Sequence, residues 1–351
     1  MTTNTRFIGF VGTYTKGESK GIYTFTLDTQ EKQITSIRSA AELDNPTYLN
    51  ISRDNRFLFS VVKEGASGGI AAFAVNSPTG ELTPLNTQLL EGSSPCHVSV
   101  DSQTKIVFSA NYHKGEVVSY LVNNGTLTKP VSIIKHEGSG PDPRQEKAHT
   151  HFAELTPDEK FLAVCELGSD LLITYQVDES GNLKEVTRLT VKLGSGPRHL
   201  TFHPNERFAY IMTEFSSEVI ALRYHAENGS FEEIQTISTI PEDFKENNQG
   251  SAIHISSDGR FVYAGNRGHN SIAVFGVESE TGKLELIERV STEGDWPRDF
   301  SLDPSEKFLV ASNQNSSNLV LYSRNTETGK LTLIQSDVKV PDPVCIKFLQ
   351  V

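Results

Sequence analysis

The sequence predicts an all-β chain, a seven-bladed β-propeller of four-stranded antiparallel blades. Three observations lead there. An apolar strand ending in a polar residue recurs seven times, typified by DGRFVYAGN at 258–266. The copies end at Thr13, Val62, Asn111, Glu166, Thr213, Asn266 and Asn313, so they step by 49, 49, 55, 47, 53 and 47 residues. Internal repetition at this period, in strand-like sequence, is the mark of a propeller. Val, Ile, Phe, Tyr and Thr fill segments that Gly, Asn and Asp interrupt about every 8 to 12 residues, which favours strand over helix. Helix signals are confined to a short candidate turn at 241–245.

Each repeat divides into four strands. The first follows a proline at Pro46, Pro95, Pro197, Pro297 and Pro343, a place held by Thr150 and Gly250 in the other two copies. A tight polar turn (53–56, 157–160, 257–260) leads into the Phe-rich second strand. The third is the β-branched and aromatic segment seen in SIAVFGV at 271–277. The fourth follows a turn such as Glu280-Thr281-Gly282-Lys283. The N-terminal copy begins with a second-type strand near Phe7, and the C-terminal copy is a first-type strand alone, from Pro343. Joining the two termini in one blade closes the ring and removes its exposed edges. No linker or low-complexity tract interrupts the series, so residues 1–351 read as one propeller domain.

Composition narrows the function classes. With 44 acidic and 32 basic residues among 351, the formal charge is −12. A negative surface repels phosphate backbones and anionic lipid, so neither nucleic acid nor membrane is an expected partner. Cys96, Cys165 and Cys345 are scattered, odd in number and without metal-site spacing, as expected of reduced cytoplasmic thiols. The first residues, MTTNTRFIGF, lack the basic and long apolar regions of a signal peptide. No apolar run approaches the ~20 residues that span a bilayer. No cofactor is called for, and the oligomeric state, monomer or homodimer, is open.

The repeat points to a site. In a blade the first strand runs along the channel and the second runs back, so the start of one and the end of the other open on the same face. The position after the proline reads Thr47, Cys96, His151, Arg198, Ser251, Arg298 and Val344. The end of the second strand and the residue after it read Thr13-Tyr14, Val62-Lys63, Asn111-Tyr112, Glu166-Leu167, Thr213-Glu214, Asn266-Arg267 and Asn313-Gln314. Three arginines, two glutamates and a histidine thus converge at the channel mouth. Charge there is expensive unless paired or used, so the ring fits a small anionic molecule.

Five motifs then carry a resemblance: GTYT at 12–15, ANYH at 110–113, GPRHLTFHP at 196–204, NRGHNSIAVF at 266–275 and SNQNS at 312–316. They resemble the seven-bladed propeller lactonases, whose members include propeller-type 6-phosphogluconolactonases and, more distantly, carboxymuconate lactonizing enzymes. The likeness runs from about Arg6 to Phe348. It implies a hydrolase opening a small anionic sugar lactone, 6-phospho-glucono-1,5-lactone, with His151, Arg198, Glu214 and Arg267 as the catalytic core. Those four residues also stand in the repeat columns. The family often carries aspartate where Glu166 stands in VCELGSD, and asparagine where Thr213 precedes Glu214.

Lactone hydrolysis needs an activated water, a stabilised oxyanion and a proton for the departing ring oxygen. His151 or Glu214 is the candidate general base, with Arg198 and Arg267 as electrostatic clamps. Asn266, Asn313 and Gln314 are candidates for positioning hydroxyls. Arg298, His254 and Lys63 are candidates for widening the anion subsite, with Glu166 and His149 behind them. His149 points away from His151 if the strand is regular. A metal on the pair His149-x-His151 is disfavoured for the same reason, and no Gly-x-Ser-x-Gly elbow occurs. His199 and His203 read as packing or turn residues. Trp296 reads equally as a sugar-stacking ring or a structural wedge. Two other readings stand beside the first: a sibling lactonase or lactonizing enzyme without a phosphate subsite, and a non-catalytic interaction scaffold.

Overall fold

The computed structural model describes residues 5–350. Its strands form seven four-stranded antiparallel sheets arranged as the blades of a ring. Blade 1 holds Arg6–Thr13, Gly21–Asp28 and Gln33–Glu42, with Pro343–Phe348 as its innermost strand. The innermost strands of blades 2 to 7 are Leu49–Ile51, His97–Val100, Thr150–Leu155, Pro197–Phe202, Gln249–Ile255 and Pro297–Leu302. Their partners follow in chain order outwards, as the strand pattern predicts. Among the described residues the helical content is one 3₁₀ turn, Leu167–Ser169. The segment 241–245 is a turn, with Phe244 N–H donating to Pro241 O at 3.2 Å.

Burial follows strand position. The second strand of every blade from 3 to 7 is buried almost from end to end, because blades cover it on both faces. Outer strands alternate instead, as in Glu81–Glu91. The apolar core is therefore a set of inter-blade clusters, such as Phe208, Tyr210, Met212, Val262, Ala264 and Phe275 between blades 5 and 6. One device joins neighbouring blades. Gly282 (φ 73°) turns beneath Phe208 of the preceding blade and accepts the Tyr210 hydroxyl at 3.1 Å. A Cβ there would lie 2.5 Å from the Phe208 ring, so glycine is needed for contact as well as for backbone. Gly329 repeats the arrangement with Phe261 and Tyr263.

The register carries a detail that strand alternation does not predict. In blade 4, Thr150 pairs with Glu166 but Phe152 pairs with Cys165, so His151 is an extra residue. The same one-residue bulge isolates Arg198 in blade 5, Arg298 in blade 7 and Val344 in blade 1. Blade 6 shifts between Gly250 and Ile253. A bulge of this kind turns two consecutive side chains toward one side.

Ring closure rests on the C-terminal strand. Phe348 packs edge-on against Phe25 at 5.4 Å, and Gln350 exchanges two hydrogen bonds with Asn55 of blade 2, at 2.7 and 2.8 Å. Removing residues 342–351 would open blade 1 along its inner edge and uncover the Phe7, Val11 and Phe25 cluster. The truncated chain is expected to lose its cooperative thermal transition altogether, which circular dichroism melting will show. A merely frayed end would leave that transition in place.

Candidate active site

At one end of the channel the bulged strands and the turns after the second strands enclose a cavity of about 460 Å³. His151 enters from blade 4, Arg198 and Glu214 from blade 5, Arg267 from blade 6 and Arg298 from blade 7. Tyr14, Lys16, Lys63, Cys96, Tyr112 and Trp296 complete much of the wall. Three arginines and two lysines face two carboxylates, Glu214 and Asp299, so the lining carries a net charge of +3 within a chain of −12. Such a cavity concentrates small anions.

Glu214 organises the wall. Its Oε2 accepts from Arg198 Nε at 2.9 Å and from Arg267 Nη2 at 2.8 Å. Arg198 Nη1 also donates to Ser251 O at 2.7 Å, and Arg267 Nη2 to Gly250 O at 2.6 Å. The backbone of Glu214 joins in, donating to Gly196 O and accepting from Gly250 N–H. Both guanidiniums are thereby fixed across the seam between blades 5 and 6, leaving Arg198 Nη2 and Arg267 Nη1 uncommitted. Arg198 and Arg267 are 2 % and 3 % exposed.

Burial raises the Glu214 carboxyl, but Arg267 and Arg198 outweigh it and hold the group below the usual carboxylate range. Burial lowers Arg267 to about 9, which leaves it protonated at neutral pH. His151 is pushed well below the ordinary imidazole value, by burial first and then by Arg198, Arg298 and Arg267. It is therefore a neutral ring. Its Nδ1 is buried without a partner, so Nε2 is the nitrogen left to meet a ligand. Cys96 is pushed up to about 11 by burial and is no thiolate nucleophile.

The floor is a cluster of rings that meet edge-on or tilted. Tyr48 lies 4.4 Å from His97 and 5.7 Å from His199, and His199 lies 5.1 Å from His151. His199, expected to be a packing residue, lines the cavity because the bulge at Arg198 turns both side chains inward. Asp299 joins it by the same route. His203 sits in the turn that follows, where its Nδ1 accepts from Asn205 N–H at 3.0 Å.

Six of the expected site residues lie outside this wall. Asn266 is buried and spent on Thr239 O, Thr239 Oγ1 and Asn248. Asn313 donates to Thr292 O at 2.7 Å, tethering the segment that enters blade 7. Glu166 caps the 3₁₀ turn, accepting from His149 N–H, Gly168 N–H and the Ser169 hydroxyl. These strand-end side chains hold the connections, and it is the next residue, as in Tyr14, Lys63, Tyr112, Glu214 and Arg267, that reaches the cavity. Gln314 holds that next position in blade 7, yet only its backbone is engaged, donating to Trp296 O at 3.1 Å. His149 stacks behind Tyr112 at 4.1 Å and bonds Tyr112 O and Glu146. His254 pairs with Asp299 at 3.3 Å and faces a second cavity, of about 630 Å³, at the opposite end of the channel. Among the described residues no group of three or more His, Cys, Asp or Glu side chains is arranged to hold a metal ion.

The family description "Lactonase, 7-bladed beta-propeller" matches residues 8–348. The chain belongs to that family. A Bacillus subtilis protein named 6-phosphogluconolactonase is 54% identical over 346 residues, 98% of this chain and 99% of its own. A crystal structure described as a putative 6-phosphogluconolactonase from Bacteroides fragilis superimposes with a TM-score of 0.92 at 34% identity, covering 100% of this chain and 99% of that one. A Pseudomonas aeruginosa periplasmic gluconolactonase does so with a TM-score of 0.93 at 30% identity and 99% coverage of both.

Trp296 joins the cavity wall in an uncommon backbone conformation. The residue before the proline adopts positive φ at Asn45 (48°), Gly196 (65°), Asp342 (44°) and Trp296 (65°). Asn, Gly and Asp take that conformation readily, while a tryptophan takes it at a cost, so blade 7 stores strain where the Trp296 ring meets Arg267 at 5.6 Å. Trp296→Asn is expected to lower kcat/KM about tenfold while the melting temperature holds or rises, since the strain removed is of order 1 kcal/mol.

The three channel histidines set an acid limit on stability. Burial is the main cause that holds His97, His151 and His199 well below 6.5 in the fold. The unfolded chain binds their protons more readily, so their contribution is whole above pH 6.5 and is lost as pH falls below it. Melting temperature is expected to drop between pH 6.5 and 5, and less steeply in His199→Gln. A profile flat to pH 5 would contradict the neutral-ring assignment.

Proposed function

We propose that this lactonase hydrolyses 6-phospho-glucono-1,5-lactone to 6-phosphogluconate. The observation that carries the reading is the Arg198–Glu214–Arg267 clamp beside a neutral His151 in a net positive cavity. Near-full-length identity to a protein of that name supports the substrate. A cytoplasmic location goes with it, and the three free cysteines fit a reducing compartment.

His151 is the general base. Its Nε2 takes a proton from the water that attacks the lactone carbonyl carbon. The carbonyl oxygen, gaining negative charge, meets the uncommitted guanidinium nitrogens of Arg198 and Arg267. The carbon–oxygen ring bond then breaks, and imidazolium returns its proton to the departing oxygen. Glu214 is the weaker candidate: the two guanidiniums that share its Oε2 keep it ionised and below the usual carboxylate range, although its Oε1 carries no hydrogen bond among the described residues. It positions the clamps. Likeness to the named gluconolactonase favours a second reading, in which the unphosphorylated lactone is the substrate.

Activity is measured against spontaneous hydrolysis of freshly made lactone. Arg198→Ala is expected to lose about 2–4 kcal/mol of transition-state stabilisation, read from kcat/KM. An unchanged value would overturn the oxyanion role. The acid limb of kcat/KM is expected below pH 6.5, because the free enzyme's His151 is already neutral above it. A limb at or above 6.5 would remove His151 as the base.

A further inference from the structure

The charges of the cavity fall into two arcs of the ring. Blades 4, 5 and 6 carry His151, Arg198, Glu214 and Arg267, in which each guanidinium is paired with the same carboxylate. Blades 7, 1 and 2 carry Arg298, Lys16 and Lys63. Among the described residues these three cations form no ion pair and no side-chain hydrogen bond. Asp299, the carboxylate adjacent to Arg298 in sequence, is turned to His254 and to Ile346 N–H, at 3.3 and 3.0 Å. Tyr14 gathers two of the cations: its ring centroid lies 5.5 Å from the Arg298 guanidinium and 4.8 Å from Lys16 Nζ.

Arg298 is half-buried and the two lysines are exposed at the rim, so three cations with no paired carboxylate surround the mouth of a concave wall, an arrangement suited to an anion that they share. The fork of a guanidinium with an ammonium beside it matches the donors a phosphate dianion takes. In the lactone, the carbonyl carbon and the carbon that bears the phosphomethyl group flank the ring oxygen and send their substituents in diverging directions, as Arg267 of blade 6 and Arg298 of blade 7 stand on neighbouring stretches of the cavity wall. We propose that Arg298, assisted by Lys16 and Lys63, is the phosphate subsite that selects a phosphorylated lactone over its unphosphorylated counterpart and orients its carbonyl toward Arg198 and Arg267. The inference rests on the lactonase reading above.

The test compares kcat/KM for 6-phospho-glucono-1,5-lactone and glucono-1,5-lactone in the wild type, Arg298→Gln and the double variant Lys16→Ala/Lys63→Ala. The ratio of the two values is expected to fall at least roughly tenfold in Arg298→Gln, chiefly through KM, and less in the lysine variant. Inorganic phosphate is expected to raise the melting temperature of the wild type and not that of Arg298→Gln. An unchanged ratio in Arg298→Gln overturns the subsite. Should that variant fail to fold, the lysine variant decides, an unchanged ratio again overturning it. If the wild type accelerates neither lactone, the lactonase reading falls instead. The phosphate-dependent melting shift then still decides whether Arg298 holds an anion: lost in Arg298→Gln it upholds the subsite, absent from the wild type it removes it.

Discussion

One extra residue at the start of the innermost strand is the constraint from which the rest of the site follows. A regular strand would send neighbouring side chains alternately into the channel and back into the blade. The bulges at His151, Arg198 and Arg298 break that alternation in blades 4, 5 and 7. Arg198 and His199 can then face the channel together, as can Arg298 and Asp299. The ladder gives up a regular pair in each blade and gains a second functional side chain. Arg198 can reach Glu214 and Ser251 O only because its backbone has been re-aimed in this way.

The seam between blades 5 and 6 links this local feature to the ring. Glu214 is tied through its backbone to Gly196 on one side and Gly250 on the other, while its carboxylate fixes a guanidinium from each blade. Two arginines held so rigidly need little reorganisation when charge develops on a substrate oxygen. Removing the carboxylate would leave two buried guanidiniums uncompensated, a loss of order 3–5 kcal/mol, so the same group serves stability and chemistry.

How much of this was legible in the sequence depended on whether period alone determines a position. The seven copies placed the blades and the closure through Pro343–Phe348, since strand, turn and spacing all repeat. The column after the proline located His151, Arg198 and Arg298, and the residue beyond the second strand located Glu214 and Arg267. The strand-end column misled for Glu166, Asn266 and Asn313. There, polar side chains satisfy backbone groups of the entering connections, a role indistinguishable by residue type from ligand binding. His199 packs among Tyr48, His97 and Phe152, as its sequence reading expects, but its second role at the cavity and that of Asp299 are not legible, because a bulge leaves no mark in residue spacing. His254 was assigned to the wrong end of the channel, though its partner Asp299 faces the right one.

The electrostatics of the cavity also bear on when the base becomes effective. His151 is depressed first by burial and then by the fields of Arg198, Arg298 and Arg267. An imidazole so depressed is a poor acceptor in the empty site. A dianionic phosphate on Arg298 and a carbonyl dipole on Arg198 and Arg267 oppose those same fields. A bound substrate thus offsets the part of the depression that the three arginines cause, while the larger part, burial, stays in place. On this account, the phosphate contributes to proton abstraction without touching the base, so that binding energy from a group that takes no part in bond breaking is expressed in the chemical step. An unphosphorylated lactone would occupy the same clamp and leave the field of Arg298 in place. Discrimination would then lie chiefly in affinity, with a smaller share in the rate of water activation.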